Sequence, residues 1–213
     1  GFKKTYISNG DGKAKGISFE ISIPQSWKSK KGYRPNIVRK FVNQNGHGTT
    51  MAMVLVKNVP IPKDMILTKN EINEYLITEE SMKMIFDGAI LKDYGRFEIE
   101  NQPGYWQKIN ATIQRGEQKL NTEMLIYNII YKNKMISIQF SAGTSVDNHI
   151  DKNKQLEEFK KFKPVFTQIL NSFILPDQYK DEKTYSEKKE KKIDLYIYKL
   201  FNNKFQAIFP DEP

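Results

Sequence analysis

The chain has 213 residues, no cysteine and a formal net charge of +9. The absence of cysteine excludes a disulfide framework, a thiolate zinc site and a cysteine nucleophile. The length is sufficient for a buried core without metal or disulfide support, and no apolar run approaches the roughly eighteen residues that a membrane-spanning helix needs.

The positive charge is concentrated at the N-terminal end of the chain. Residues 1–40 contain ten Lys or Arg against two acidic residues, whereas residues 41–175 contain sixteen against fifteen and residues 176–213 contain eight against eight. This bias favours an anionic neighbour such as a membrane surface, a cell-envelope polymer or nucleic acid, although it can also serve solubility alone. Only four of the 34 basic residues are Arg, and Lys cannot read phosphates or guanines bidentately, which disfavours nucleic acid. The basic residues of the candidate binding surface are Lys28, Lys30, Lys31, Arg34, Arg39 and Lys40.

The first elements are predicted from glycine content and alternation. Residues 1–16 are glycine-containing and lack apolar periodicity, so we expect a flexible leader. The chain starts at Gly1 instead of Met, which indicates a processed, trimmed or tag-cleaved product; if a signal segment or lipid anchor preceded Gly1, residues 1–16 would be its tether. Residues 17–24 alternate, with an apolar face, and predict a strand that ends at Pro24. The apolar residues of that face are Phe19, Ile21 and Ile23.

Two more strands and a basic turn follow. Residues 29–35 predict the turn, and residues 36–42 and 49–59 predict strands joined by an Asn-Gly hairpin. His47 lies at the tip of that hairpin, and the only other histidine is His149. Because no carboxylates are clustered with either histidine, we expect neither a metal site nor a general base, and no cofactor.

A helical insertion is predicted before the centre of the chain. Thr68 with Glu71 three residues later forms a capping-box pattern, and a second helix start at Thr78 is followed by a stop at Gly88. The acidic residues of this insertion could be considered a cation site, but they lack the spacing of a calcium loop and favour a solvated helix face. They are Glu71, Glu74, Glu79 and Glu80.

Residues 104–142 predict the central feature, a three-stranded antiparallel meander, preceded by a strand with a break at Gly95 and by a turn at 101–104. The middle strand is apolar on both faces and therefore needs cover on both. We predict an α+β fold with an antiparallel sheet of six to seven strands and helices on both faces. Tyr105 and Trp106, at the start of the meander, are either an aromatic platform for a ligand or packed under a helix.

The C-terminal part predicts a helix, a linker and further strands. Residues 144–175 have helical apolar spacing, with a kink or a junction of two helices at Pro164. Residues 17–175 are thus predicted to form one domain, and residues 176–192 a charged linker. Residues 193–213 either add edge strands or begin a truncated second copy, since Phe205 to Pro210 repeat the pattern of Phe19 to Pro24.

The order of elements resembles the PsbP-like fold group. The matching features are FEISIP at 19–24 with Trp27 after it, the helical insertion, NKMISIQFSAG at 133–143 and FTQILNSFIL at 166–175. The resemblance covers residues 17–175. It implies an α/β/α sandwich in a group that includes a photosystem extrinsic protein, a Ran-binding nuclear-import factor and many bacterial envelope proteins of unknown role, and it transfers no catalytic residue.

Two classes of function remain open. The favoured hypothesis is a non-catalytic, extracytoplasmic bacterial binding or scaffolding domain, periplasmic, secreted or membrane-tethered, that contacts a protein, an envelope polymer or an anionic membrane. The alternative is a hydrolase that uses carboxylates such as Asp93, Glu98 and Glu100 in a cleft, although no catalytic motif accompanies them. A role in nuclear transport would rest on fold analogy alone.

Overall fold

The computed structural model describes residues 2–43, 50–62, 65–115, 118–145, 152–181, 195–200 and 205–210. The strands are β1 (Phe2–Asn9), β2 (Ser18–Pro24), β3 (Trp27–Lys31), β4 (Ile37–Asn43), β5 (Met51–Asn58), β6 (Ala89–Ile99), β7 (Gln102–Arg115), β8 (Gln118–Tyr131), β9 (Lys134–Ser145), β10 (Leu195–Leu200) and β11 (Phe205–Pro210). The helices are α1 (Lys69–Glu71, continued by a π-helical turn over Ile72–Leu76), α2 (Glu79–Lys83), α3 (Lys152–Asn171) and α4 (Gln178–Asp181). None of the helices in these ranges is long and apolar enough to cross a membrane.

The main sheet has seven antiparallel strands in the order β3-β4-β5-β9-β8-β7-β6. The predicted meander is confirmed as β7, β8 and β9. The middle strand is buried on both faces, with Met124 and Ile126 in one cluster and Leu125 and Ile129 in another. The predicted α+β class and the need for cover on both faces are therefore confirmed.

One face of the main sheet, which we call the hairpin face, is covered by α3 together with the β1–β2 hairpin. Phe166 of α3 stacks on Phe140 of β9 at 5.0 Å between ring centroids, and Phe19 of β2 stacks on Phe173 at 5.6 Å. The predicted apolar face of β2 points into this cluster. Residues 1–16 are thus not the flexible leader that we expected, because β1 pairs along β2. Tyr6 fixes β1 by packing on two rings of the core, a contact between distant segments that glycine content could not indicate.

The other face, which we call the helical face, is covered by α1 and α2, and the predicted helix starts are confirmed. The Thr68 hydroxyl accepts a hydrogen bond from the Glu71 amide, and the Glu71 carboxylate accepts one from the Thr68 amide at 2.7 Å. Thr78 caps α2 in the same way, by accepting from Ser81. These caps satisfy amide groups that helices of only a few residues would otherwise expose.

Sheet side chains hold the helical cover in place. The Gln107 amide of β7, which is buried, donates to the carbonyls of Met82 and Met84 at 2.8 and 2.7 Å. Arg96 of β6 donates to the carbonyl of Ile77 at 2.7 Å. The cover is therefore attached to the half of the sheet formed by β6, β7 and β8.

Two local predictions need correction. The turn before β7 is formed by Glu100 and Asn101, whose φ angles of 50° and 56° suit a two-residue hairpin turn, so residues 102–104 already belong to the strand. Helix α3 continues through Pro164, so the predicted alternative of two separate helices does not form. The buried rings of Phe159 and Phe166, on either side of that proline, pack into the same cluster and favour one continuous element.

The last elements lie beyond α3. Helix α4 falls within the expected linker, and it is anchored because Gln178 and Tyr179 both donate to the Glu100 carboxylate, at 2.8 and 3.0 Å. Strands β10 and β11 pair with one another in a separate two-stranded sheet and not with the main sheet. The domain boundaries and the repeat remain predictions. Both histidines and most of the expected linker lie outside the described residues.

Candidate functional site

The predicted basic residues lie at one edge of the main sheet. Lys28, Lys30 and Lys31 are exposed on β3, which is an edge strand and not the turn that we expected over 29–35. Register places Lys30 opposite Lys40 and Lys31 opposite Arg39 of β4. Lysines on an edge strand also hinder unwanted pairing with another sheet, so part of this arrangement serves folding.

The strand alternation divides these basic residues between two faces. Lys28, Lys30 and Lys40 point to the helical face, whereas Lys31 and Arg39 point to the hairpin face. Arg39 is used in packing, because its Nε donates to the Ser29 hydroxyl at 2.7 Å and its guanidinium lies 4.9 Å from the centroid of the Tyr6 ring. Lys28, Lys30 and Lys31, all exposed, therefore form the part of the cluster that is available as a surface, with Lys28 and Lys30 on the helical face.

The turn between β3 and β4 is held by a residue that the sequence reasoning did not single out. The Lys13 ammonium donates to the carbonyls of Gly32, Tyr33 and Arg34, at 2.5, 3.3 and 3.0 Å. At the same turn the Tyr33 side chain is 96% exposed. No motif predicts this clamp, since it joins positions about twenty residues apart through backbone carbonyls. Its result is a fixed turn that presents an aromatic ring beside basic side chains.

The two aromatic candidates do not share a surface with the lysines. Strand β7 lies five positions from β3 in the sheet, which at the usual strand spacing is roughly 24 Å. Tyr105 is 6% exposed and packs with Leu76, Ile77 and Met82 under the helical cover, where desolvation raises its pKa to about 12. Trp106 points to the hairpin face, half-buried. The simpler prediction, packing under a helix, is confirmed for Tyr105.

Gly95 allows the position of Trp106. A Cβ atom at Gly95 would lie 2.9 Å from the indole nitrogen, so only glycine leaves room for the ring. Strand β6 is not broken at Gly95 as we expected but continues through it, and the bulge of β6 lies between Leu91 and Asp93.

The three strands at the basic edge contain no acidic residue of their own. Residues 21–63 contain eight Lys or Arg and no Asp or Glu. Because β3, β4 and β5 are adjacent in the sheet, folding brings the basic residues of these strands together on the two faces of one edge, without a compensating carboxylate from the same strands. Such a region produces a positive local potential that attracts anionic groups.

The carboxylates considered for a hydrolase are separated from one another. Asp93 and Glu98 point to opposite faces of β6, given their partners Lys108 and Pro103. Glu98 pairs with Lys69 at 3.9 Å, and Glu100 accepts the hydrogen bonds that anchor α4. These three carboxylates do not form a paired acid–base site.

The acidic residues of the helical insertion are mainly exposed. Glu79 accepts from Lys83 at 2.6 Å and from the Tyr94 hydroxyl at 3.1 Å, and these two hydrogen bonds lower its pKa. In the described ranges, no group of three or more His, Asp or Glu side chains is placed to hold a metal ion. A solvated helix face, the favoured prediction, agrees with this exposure.

Comparison with known proteins finds similar solved structures and no family. No protein-family model and no curated protein matches the chain. Similar solved structures include cyanobacterial PsbP (CyanoP) from Synechocystis sp. PCC 6803, with 18% identity and a TM-score of 0.48 over 81% of this chain and 91% of that one. LpqN of Mycobacterium tuberculosis, involved in cell envelope biogenesis, has 10% identity and a TM-score of 0.43 over 80% and 89%. A Bacteroides thetaiotaomicron protein has 14% identity and a TM-score of 0.39 over 95% of this chain and 55% of that one. These structures are what the chain is similar to, and with TM-scores below 0.5 the similarity assigns it no family, ligand or partner.

Proposed function

We propose that this protein is a non-catalytic binding or scaffolding domain whose basic sheet edge contacts an anionic partner. The observation that carries the proposal is the region of β3, β4 and β5, which contains basic but no acidic side chains. An extracytoplasmic location, with or without a lipid anchor, belongs to the same proposal, because a basic surface suits the anionic polymers and lipids of a cell envelope.

The residues that act in this function are Lys28, Lys30 and Lys31, with Arg34 in the turn that Lys13 holds. All four side chains are exposed charges at the periphery of the sheet. We therefore expect them to contribute mainly long-range attraction that salt weakens. Side chains used in packing, such as Arg39, are expected to contribute little directly.

The test compares two charge-matched triple variants in co-sedimentation with anionic vesicles and with an anionic polymer such as polyglutamate, at low and high salt. K28Q/K30Q/K31Q removes three charges from the basic edge, and K160Q/K161Q/K163Q removes three from exposed positions of α3. At about 1 kcal/mol per basic residue near an anionic surface, the first variant should bind at least about tenfold more weakly.

The control variant should bind within about twofold of the unmodified protein, because its charges lie on a different element. Equal weakening by both variants would mean that net charge alone attracts the probe, and it would overturn the proposal. Binding that is unaffected by high salt would do the same.

A further inference from the structure

On the helical face of the main sheet, paired side chains form rows that lead from exposed residues to buried ones. Side chains directly opposite one another in neighbouring antiparallel strands lie on the same face. One row is Lys28, Val42, Met51, Ser141 and Met124, and the next is Lys30, Lys40, Met53, Gln139 and Ile126. Each row runs from a lysine at the edge, across a methionine of β5 and a polar residue of β9, to a buried residue under the helical cover.

On this face, β4 and β5 carry apolar side chains that the described core does not use. Val42, Met51, Met53 and Leu55, which we call the open ridge, are all half-buried. In the described ranges they belong to none of the three clusters of packed apolar side chains. Met124, at the far end of one row, is by contrast packed beneath the cover and 4% exposed.

The charges around the open ridge indicate which kind of partner can bind there. Lys28 and Lys30, both exposed, border it on the same face, and the three strands have no acidic side chain. A second copy docked face to face would bring like charges together, which opposes a symmetric dimer. A phosphate or polyglutamate chain would satisfy the lysines but leave the methionines uncovered. A partner with both carboxylates and apolar side chains satisfies both.

We propose that the open ridge is the docking site for an acidic amphipathic helix of a partner protein, with its apolar side on Met51, Met53 and Leu55 and its carboxylates on the neighbouring lysines. The distance from β3 to β5 is about 10 Å, which matches the width of one helix. Methionine side chains adapt their shape to an incoming surface, as in other helix-binding faces. This inference rests on the proposed function, since it uses two of the same lysines, Lys28 and Lys30, but it adds the apolar contact.

The experiment uses the complete chain and a synthetic amphipathic peptide of about 18 residues, with leucines at helical spacing and glutamates elsewhere. A scrambled peptide of the same composition is the charge-matched probe. M51Q/M53Q should weaken binding of the amphipathic peptide at least about tenfold and leave the scrambled peptide unchanged. I90Q, at a 60% exposed apolar position on the opposite edge strand, is the control and should change neither.

A second measurement does not depend on a variant. In the unmodified protein labelled at methionine methyl carbons, the amphipathic peptide should shift the signals of Met51 and Met53 and leave that of buried Met124 in place. Unchanged signals at Met51 and Met53, or full binding by M51Q/M53Q, would overturn the docking site.

The outcomes also separate this inference from the proposed function. If K28Q/K30Q/K31Q weakens binding but M51Q/M53Q does not, the docking site fails and the basic binding surface stands. If neither variant has an effect, both fail. Dependence of anionic-vesicle binding on Met51 and Met53 would identify a membrane contact, and a dimer that M51Q/M53Q disrupts would identify a second copy. Either result would replace the helix proposal.

Discussion

The helical face contains two halves that the same sheet builds in opposite ways. Over β6, β7 and β8, the cover formed by α1 and α2 seals apolar side chains away from water. Over β3, β4 and β5, the open ridge remains half-exposed and is bordered by lysines. The strands of both halves alternate in the same manner, so the difference comes from what covers them.

In this sheet, the burial of a side chain depends on the layer packed against it as much as on its position in the strand. Met51 and Met124 belong to the same row and have the same side chain, yet only Met124 is buried. The covered half is expected to determine stability, and the open half to determine binding. The following predictions test that division.

The largest effect is expected from truncating the two methionines of one row. Met124→Ala removes a buried side chain and leaves a cavity, so the free energy of unfolding should fall by about 2–5 kcal/mol. Met51→Ala should cost about 1 kcal/mol or less, because solvent already reaches that side chain. Urea unfolding at equilibrium measures both. Equal losses would show that the open ridge is part of the core.

A pH-dependent loss of stability is expected from Tyr105 in the covered half. Its raised pKa of about 12 means that the folded state keeps the phenol neutral, while the unfolded chain ionises it near pH 10. The contribution of Tyr105 to the free energy of unfolding is thus complete below about pH 10 and is lost as the pH rises to about 12. The total loss is roughly 3 kcal/mol.

Urea unfolding between pH 8 and 12 tests this, with Tyr105→Phe as the control. The variant should lose less stability than the unmodified protein across that interval, because it has no phenol at this position to ionise. Identical slopes for the two proteins would contradict the burial of this hydroxyl.

The attachment of the helical cover should depend on Gln107. Gln107→Leu keeps the size of the side chain but leaves the carbonyls of Met82 and Met84 without their donor, at a cost of about 1–3 kcal/mol. Hydrogen exchange should become faster in α2 and remain unchanged in β3, β4 and β5. Uniformly faster exchange would mean that the cover does not open separately from the sheet.

The smallest effect is expected at the turn of the open half. Lys13→Met removes the ammonium that three carbonyls share, and since the site is partly exposed the loss should be about 1 kcal/mol. Binding of the anionic probes should nevertheless weaken, because Arg34 and Tyr33 lose their fixed turn. Lys4→Met, at an exposed position of β1, removes the same charge without the clamp and should affect binding less.

Local patterns in the sequence predicted much of the fold. The meander, the capping box at Thr68 and the apolar face of β2 follow from the period of apolar residues and from caps within a few residues. β1 was not predicted, because its partner strand and Tyr6's ring contacts come from other segments. The basic cluster was predicted as a set of residues, but its division between two faces depends on register.

The α+β class and the excess of basic residues at the N-terminal end follow from the sequence alone, because alternation and composition do not depend on which segments pack together. The burial of Tyr105, the contact of Lys13 with the β3–β4 turn and, among the described residues, the open half of the helical face are evident only in the folded chain. These features depend on which distant segments pack together, and packing between distant segments is set by the whole fold.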